Sequence, residues 1–251
     1  MFGSDGTGVY SPDTVSLVVA LIEGGHTYSE IERRTGVSRS TVRSWASGRT
    51  PLNGIGAACN VCRRATDEIP AGPYAYLLGL YLGDGCLSGH PRGVYKLRIT
   101  CCDAYPDLMA ECALTMAEVL PNRVNRVQRT GCTELGSYSK HWPCLFPQHG
   151  RGPKHKRSIA LVDWQRSIVD RFPAPLLRGL VHSDGCRVLN KVNGRAYPRY
   201  HFTNVSADIR GLFSRACELI EVEWRQSNAR TLSVARRDSV GRLDDFIGPK
   251  R

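Results

Sequence analysis

The chain has no run of about 18 apolar residues and no apolar segment at its start, so the sequence offers neither a membrane span nor a secretory leader. Disulfide spacing of the kind that staples small secreted domains is missing too. Ten cysteines are scattered over 251 residues, with Cys101 and Cys102 adjacent, and reduced thiols in the cytoplasm are the simpler expectation. Acidic side chains are in deficit: 23 against 34 basic ones leave a net charge of +11. Such a balance favours a polyanionic partner, nucleic acid first. Residues 1–70 hold seven side chains of each sign, so residues 71–251 carry the whole excess.

What is present is a duplicated nonamer. Leu77-Leu78-Gly79-Leu80-Tyr81-Leu82-Gly83-Asp84-Gly85 reads as the end of an apolar helix stopped by glycine, and Leu177-Arg178-Gly179-Leu180-Val181-His182-Ser183-Asp184-Gly185 repeats it. In each copy an aspartate stands in the last helical turn, where the negative end of the helix dipole disfavours it. Gly79 and Gly83 lie four residues apart, as do Gly179 and Ser183, so each pair shares a helix face and would let two backbones approach.

The segments between and after the copies also repeat. Tyr95–Cys101 alternates, with Lys96, Arg98 and Thr100 on one face and Leu97, Ile99 and Cys101 on the other. An amphipathic helix follows over 105–120, then strands at 124–129 (with Arg126) and 132–137, and a helix at 162–172. After Asp184 the order returns: a strand at 197–204 with Arg199, His201 and Thr203 on one face, a helix capped by Ser206, strands at 223–226 and 229–235 (with Arg230), and a helix from Leu243. A basic strand face opposite an apolar one suits a sheet lying on phosphates.

Ahead of these repeats, residues 12–50 read as three short helices. Gly36-Val37-Ser38 makes the turn before the third, which holds Thr41, Val42 and Trp45. The string from Ile31 to Val42 resembles the helix-turn-helix of resolvases and repressors. That resemblance places Arg39, Ser40, Arg43 and Ser44 towards the major groove. Residues 51–73 read as a linker containing Cys59-Asn60-Val61-Cys62. A CxxC pair is half a zinc site, and Cys144, His149 and His155 lie in one later stretch that could complete a Zn²⁺ site at Cys59 and Cys62.

The nonamers resemble the LAGLIDADG motif of homing endonucleases in its two-copy, single-chain form, and the resemblance covers about residues 74–248. It implies an α+β fold of two pseudo-symmetric αββαββα repeats, at 74–172 and 173–251, forming a DNA-binding saddle. A small all-α helix-turn-helix module would occupy residues 1–50. The family's metal-binding acid maps onto Asp84 and Asp184, while the sixth motif position, often acidic, is Leu82 and His182 here. Two acids brought together repel one another and call for a cation between them, and hard oxygen ligands suit Mg²⁺. The family also places a basic residue near each metal, for which Lys156 and Arg242 are the candidates. The implied activity is that of a DNA endonuclease, a hydrolase cutting both strands of double-stranded DNA as a monomer. Lys96, Arg98, Arg126, Arg199 and Arg230 would supply phosphate contacts. The runner-up is a DNA-binding regulator that keeps the fold without cutting. An intein lacks its nucleophilic first residue and terminal His-Asn pair here, and a recombinase lacks its serine or tyrosine context.

Overall fold

The computed structural model describes Tyr10, residues 12–47, residues 69–248 and Lys250. Two compact units divide the chain, Met1–Ala65 and Thr66–Arg251. Cys59 and Cys62 lie outside the described residues.

Among the described residues the first unit contains three helices: α1 (Pro12–Glu23), α2 (Tyr28–Thr35) and α3 (Arg39–Ala46). The Thr27 hydroxyl accepts from the Glu30 N–H at 3.4 Å, and the Glu30 carboxylate accepts from the Thr27 N–H at 2.9 Å, so α2 starts with two otherwise orphaned donors satisfied. It stops at Gly36, whose φ of 74° a side chain would strain. Ser38 then caps α3 by accepting from the Thr41 N–H at 3.4 Å. Val15, Val18, Leu21, Ile31, Val37, Val42 and Trp45 close a small core, with Tyr10 edge-on to Trp45.

The second unit is built on two helices, α4 (Ala71–Asp84) and α8 (Pro173–Asp184), packed against each other. Their contact is as close as backbones allow. A Cβ on Gly79 would lie 2.6 Å from the Leu176 carbonyl oxygen and 2.7 Å from the Leu180 nitrogen. Gly179 faces the Tyr76 carbonyl in the same way, and Gly83 faces Ser183. The small residues four apart therefore serve close approach, as their spacing implied.

Each helix runs without a loop into a strand. After α4 come β1 (Gly85–His90), β2 (Val94–Cys102), α5 (Pro106–Val119), β3 (Val124–Arg129), β4 (Cys132–Ser139), a short α6 (Trp142–Leu145) and α7 (Asp163–Arg171). After α8 come β5 (Gly185–Val192), β6 (Arg195–Thr203), α9 (Ala207–Leu219), β7 (Arg225–Asn228), β8 (Thr231–Val234) and α10 (Arg237–Ile247). Two antiparallel sheets result, in the matching orders β1-β2-β4-β3 and β5-β6-β8-β7. Gly85 and Gly185 are not left-handed helix stops: both are extended, with φ of −88° and −110°. Each is glycine because a Cβ would meet the helix behind it, 2.5 Å from Tyr81 Cα in the first copy and 2.7 Å from Val181 Cα in the second. Strands β1 and β5 have little apolar alternation, and the sequence pattern did not separate them from the motif.

One face of each sheet packs on the helices. Leu97, Ile99 and Leu135 in the first, and Tyr200, Phe202, Leu232 and Val234 in the second, are buried there with the apolar sides of α4, α5, α8 and α9. Tyr74 ties α4 to the following segment: its hydroxyl donates to the Leu145 carbonyl and accepts from Gln165 Nε2, both at 2.6 Å, so a buried amide and a buried phenol satisfy each other. Among the described residues no helix is long and apolar enough to cross a membrane.

Candidate functional site

Because α4 and α8 are in contact along their glycines and end together, they bring Asp84 and Asp184 to one place. A Cβ on Gly83 would lie 3.1 Å from Oδ2 of Asp184. Crowding by protein pushes the Asp84 carboxyl up to about 6, with the charge of Asp184 adding to it, although water still reaches its tip. Asp184 is also raised by burial, but Asn204 Nδ2 donates to its Oδ2 at 2.6 Å and opposes the rise. No side chain among the described residues donates to Asp84. The two acids are therefore equivalent in position and unequal in environment.

The helix-end charge that looked unfavourable has its compensation in Lys154. The ammonium donates to the carbonyls of Tyr81, Leu82 and Gly83, the last two at 2.9 Å, and lies near both acids. All three of its donors are thus used on the C-terminal carbonyls of α4, and burial pushes it down to about 8. Lys250 stands just past the end of α8, at the start of β5. Its ammonium donates to the Gly185 carbonyl at 2.6 Å, is lowered by burial, and feels both acids. Asp84 and Asp184 thus have two ammonium groups beside them, so their mutual repulsion is relieved by the chain itself.

These are not the two cations that the sequence pointed to. Lys156 is exposed at the end of the 3₁₀ turn Lys154–Lys156. Arg242, on α10, donates to the carbonyls of Ile220 and Glu221 at 3.0 Å and pairs with the Glu221 carboxylate. Lys154 sits in the densest basic run of the chain, but nothing in that run distinguishes it from Lys156. Lys250 follows the last periodic segment, where pattern has nothing to read. A cleft of about 950 Å³ opens beside this group, lined by Gly83, Cys86, His149, Lys154, Asp184 and Asn204 among others.

The sixth motif position differs between the copies. Leu82 is fully buried, whereas His182 bridges two elements: it accepts from the Tyr76 hydroxyl through Nδ1 and donates from Nε2 to the Ile247 carbonyl, both at 2.9 Å. The carbonyl can only accept, which fixes the proton on Nε2. Burial, then Arg178, holds this imidazole down to about 4, so it is neutral. Arg178 Nε donates to the same carbonyl at 3.2 Å, and the two donors fix the end of α10 just before Lys250.

The cross-strand register sorts the remaining basic residues. Lys96 and Arg98 lie on the face of the first sheet away from the helices, opposite Tyr138 and Gly136. Both ion-pair with one carboxylate, Glu134, which they hold below its usual range. Arg126 does not join them. It pairs with Leu135, whose other neighbour is Ile99, and so stands on the helix side at the sheet edge. Arg199 is on the outer face of the second sheet, as the alternation implied, while Arg230 occupies the turn between β7 and β8 rather than a strand. In the first unit Arg39, Ser40 and Arg43 are exposed on α3 and Ser44 is half-buried. Arg39 pairs with Glu32 at 3.0 Å.

Two carboxylates at the ends of paired helices, each helix leading a four-stranded antiparallel sheet, constitute the LAGLIDADG fold. Solved structures share it. A single-substitution variant of the homing endonuclease I-DmoI, in complex with its target DNA in the presence of magnesium, matches at 16% identity with a TM-score of 0.52, over 71% of this chain and 97% of that one. The N-terminal LAGLIDADG domain of DUF199/WhiA matches at 12% identity and 0.43, over 72% and 83% of the two chains. The LAGLIDADG meganuclease I-AabMI, bound to uncleaved DNA, matches at 11% and 0.43, over 69% and 82%. No family model matches the chain, and no curated protein matches it. At 16% identity the likeness to the I-DmoI variant is one of fold.

Proposed function

We propose that this chain is a site-specific DNA endonuclease of the homing type, hydrolysing one phosphodiester on each strand of a duplex. The observation that carries this reading is the convergence of Asp84 and Asp184 beside a large cleft, with the ammonium groups of Lys154 and Lys250 acting on both. Two carboxylates are hard oxygen donors. Among the described residues no group of three or more His, Cys, Asp and Glu could hold an ion, so the remaining ligands would be water and phosphate oxygens. That donor set suits Mg²⁺, which keeps its waters and favours phosphate partners. Bound between these acids, the ion would supply an activated water and charge stabilisation at the scissile phosphate.

The chain's own groups divide the remaining work. Asp84 and Asp184 hold the ion, one from each repeat. Lys154, with its donors used on backbone carbonyls, acts through its charge and fixes the end of α4. Lys250 has a single donor engaged among the described residues, so it can reach a water or a phosphate oxygen. Lys96, Arg98 and Arg199 meet the backbone of the duplex, and α3 meets base edges through Arg39, Ser40, Arg43 and Ser44. A regulator that binds DNA without cutting is the second reading. It is favoured by Lys154 and Lys250, which make the acid pair tolerable with no metal at all. Incubating the purified chain with a randomised plasmid library separates the two: double-strand breaks with Mg²⁺ that vanish with chelator support the nuclease. Tight binding of one sequence with no metal-dependent cut on it would leave the regulator.

A further inference from the structure

The outer face of the second sheet contains a feature that catalysis does not use. Arg199 is half-buried, yet among the described residues its guanidinium makes no hydrogen bond and no ion pair, and its Nε is buried without a partner. Ser233 lies on the same face in the neighbouring strand β8, 5% exposed, and its hydroxyl is also buried and unpartnered. Both line one cleft of about 420 Å³ together with Arg225, Gln226, Glu223 and Arg236. Glu223 is already paired with Arg236. Arg225 sits directly opposite Ser233 in the register. The cleft thus gathers Arg199, which has no ion pair among the described residues, Arg225, which feels Glu223 without forming an ion pair with it, and a buried hydroxyl with nothing to donate to.

Removing a charged or polar group from water is unfavourable unless a partner repays it, and here the protein supplies none. A planar guanidinium and a hydroxyl converging on one opening match a tetrahedral oxyanion, to which arginine donates in pairs. We propose that this cleft is a phosphate-binding subsite formed by Arg199, Arg225 and Ser233. Resting on the DNA reading above, its occupant is a backbone phosphate of the duplex, held away from the scissile bonds. It fixes the duplex on the second half and adds no metal chemistry.

The test uses the full chain and its selected duplex, with binding measured by fluorescence anisotropy from 50 to 300 mM salt. Arg199→Gln should weaken binding about tenfold and lower the slope of log Kd against log salt by about 1, the value for one lost phosphate contact. Ser233→Ala guards against misfolding as the cause. It removes an unpaired buried hydroxyl, so thermal stability should hold or rise while affinity falls several-fold. Full affinity and slope in both variants, with wild type binding normally, would overturn the subsite and leave the DNA reading intact. If wild type binds no duplex, inorganic phosphate is the second probe. A phosphate-dependent rise in melting temperature that Arg199→Gln abolishes keeps the subsite and sinks its DNA occupant; no such rise sinks both.

Discussion

Opposite Thr100 the first sheet carries Glu134; opposite Thr203, at the matching place, the second carries Thr231. The same register matches Lys96 with Arg199, Arg98 with His201, Gly136 with Ser233 and Asn125 with Arg225. One acid accounts for much of the difference. Glu134 draws Lys96 and Arg98 onto itself, and Gly136 leaves room for the Lys96 stem to lie flat over it. In the second sheet Thr231 only exchanges a hydrogen bond with Thr203, so Arg199 keeps its charge unmatched. Two sheets with one backbone pattern therefore present different potentials. Net charge alone, which placed the whole excess in residues 71–251, could not have located that difference.

The largest effect expected from breaking the symmetry lies at the helix ends. Asp84→Asn and Asp184→Asn should each lower metal-dependent cleavage by about a thousandfold on the nuclease reading, with duplex affinity kept or raised as a repulsion is relieved. Time courses with Mg²⁺ on a supercoiled target check this, and unchanged rates in both variants would end the metal assignment. Next comes the helix contact. Gly79→Ala forces a methyl into the backbone of α8 and should destabilise by about 3 kcal/mol, the upper end of overpacking costs. Gly211→Ala, on α9 with open space around its Cα, should be neutral or slightly stabilising. Equal unfolding midpoints for the two would show that the glycines are not there for close approach.

Much of this architecture was legible because it repeats. Period 3.6 and period 2 gave most of the elements in both halves, and the spacing of Gly79, Gly83 and Gly179 foretold a backbone contact between helices. What stayed hidden was set by distance along the chain. Lys154 reaches carbonyls more than 70 positions away, and one basic run gives no sign of which lysine turns inward. Arg126 shares an Arg-rich strand, but its face depends on a register with Leu135 that local pattern does not contain. The strands β1 and β5 begin with no intervening turn, so no loop signal marked them.

The sixth motif position offers a comparison of middle size. The imidazole of His182 titrates near 4 in the fold and near 6.5 when unfolded, so the unfolded chain takes up a proton that the fold refuses. Stability should fall as pH drops from about 6.5 towards 4, by up to about 3 kcal/mol from this group alone. Asp84, raised to about 6, works the opposite way as it protonates, but solvent screening keeps its share nearer to about 1 kcal/mol. Urea unfolding at pH 7.5 and 4.5 should therefore show a smaller acid loss in His182→Gln than in wild type. An identical loss would mean that the buried bridge between Tyr76 and Ile247 does not control the acid response.

The smallest expected effect is the most direct test of the difference between the sheets. Glu134→Gln releases Lys96 and Arg98 while leaving the strand pairing intact, so the first face should become as unmatched as the second. Folding stability should drop by about 1 kcal/mol or more, because one acid held a largely buried ammonium and a half-exposed guanidinium. Duplex affinity should rise a few-fold and the salt slope should steepen by about 1 as a further phosphate is neutralised. Thr231→Glu is the reverse experiment: it gives the second sheet the acid it lacks, and affinity should fall by a similar factor. If the two changes move affinity in the same direction, the sheets do not divide the duplex as their charges imply. If Glu134→Gln weakens binding, the acid is ordering the two cations for contact, and the first sheet is the better organised phosphate surface.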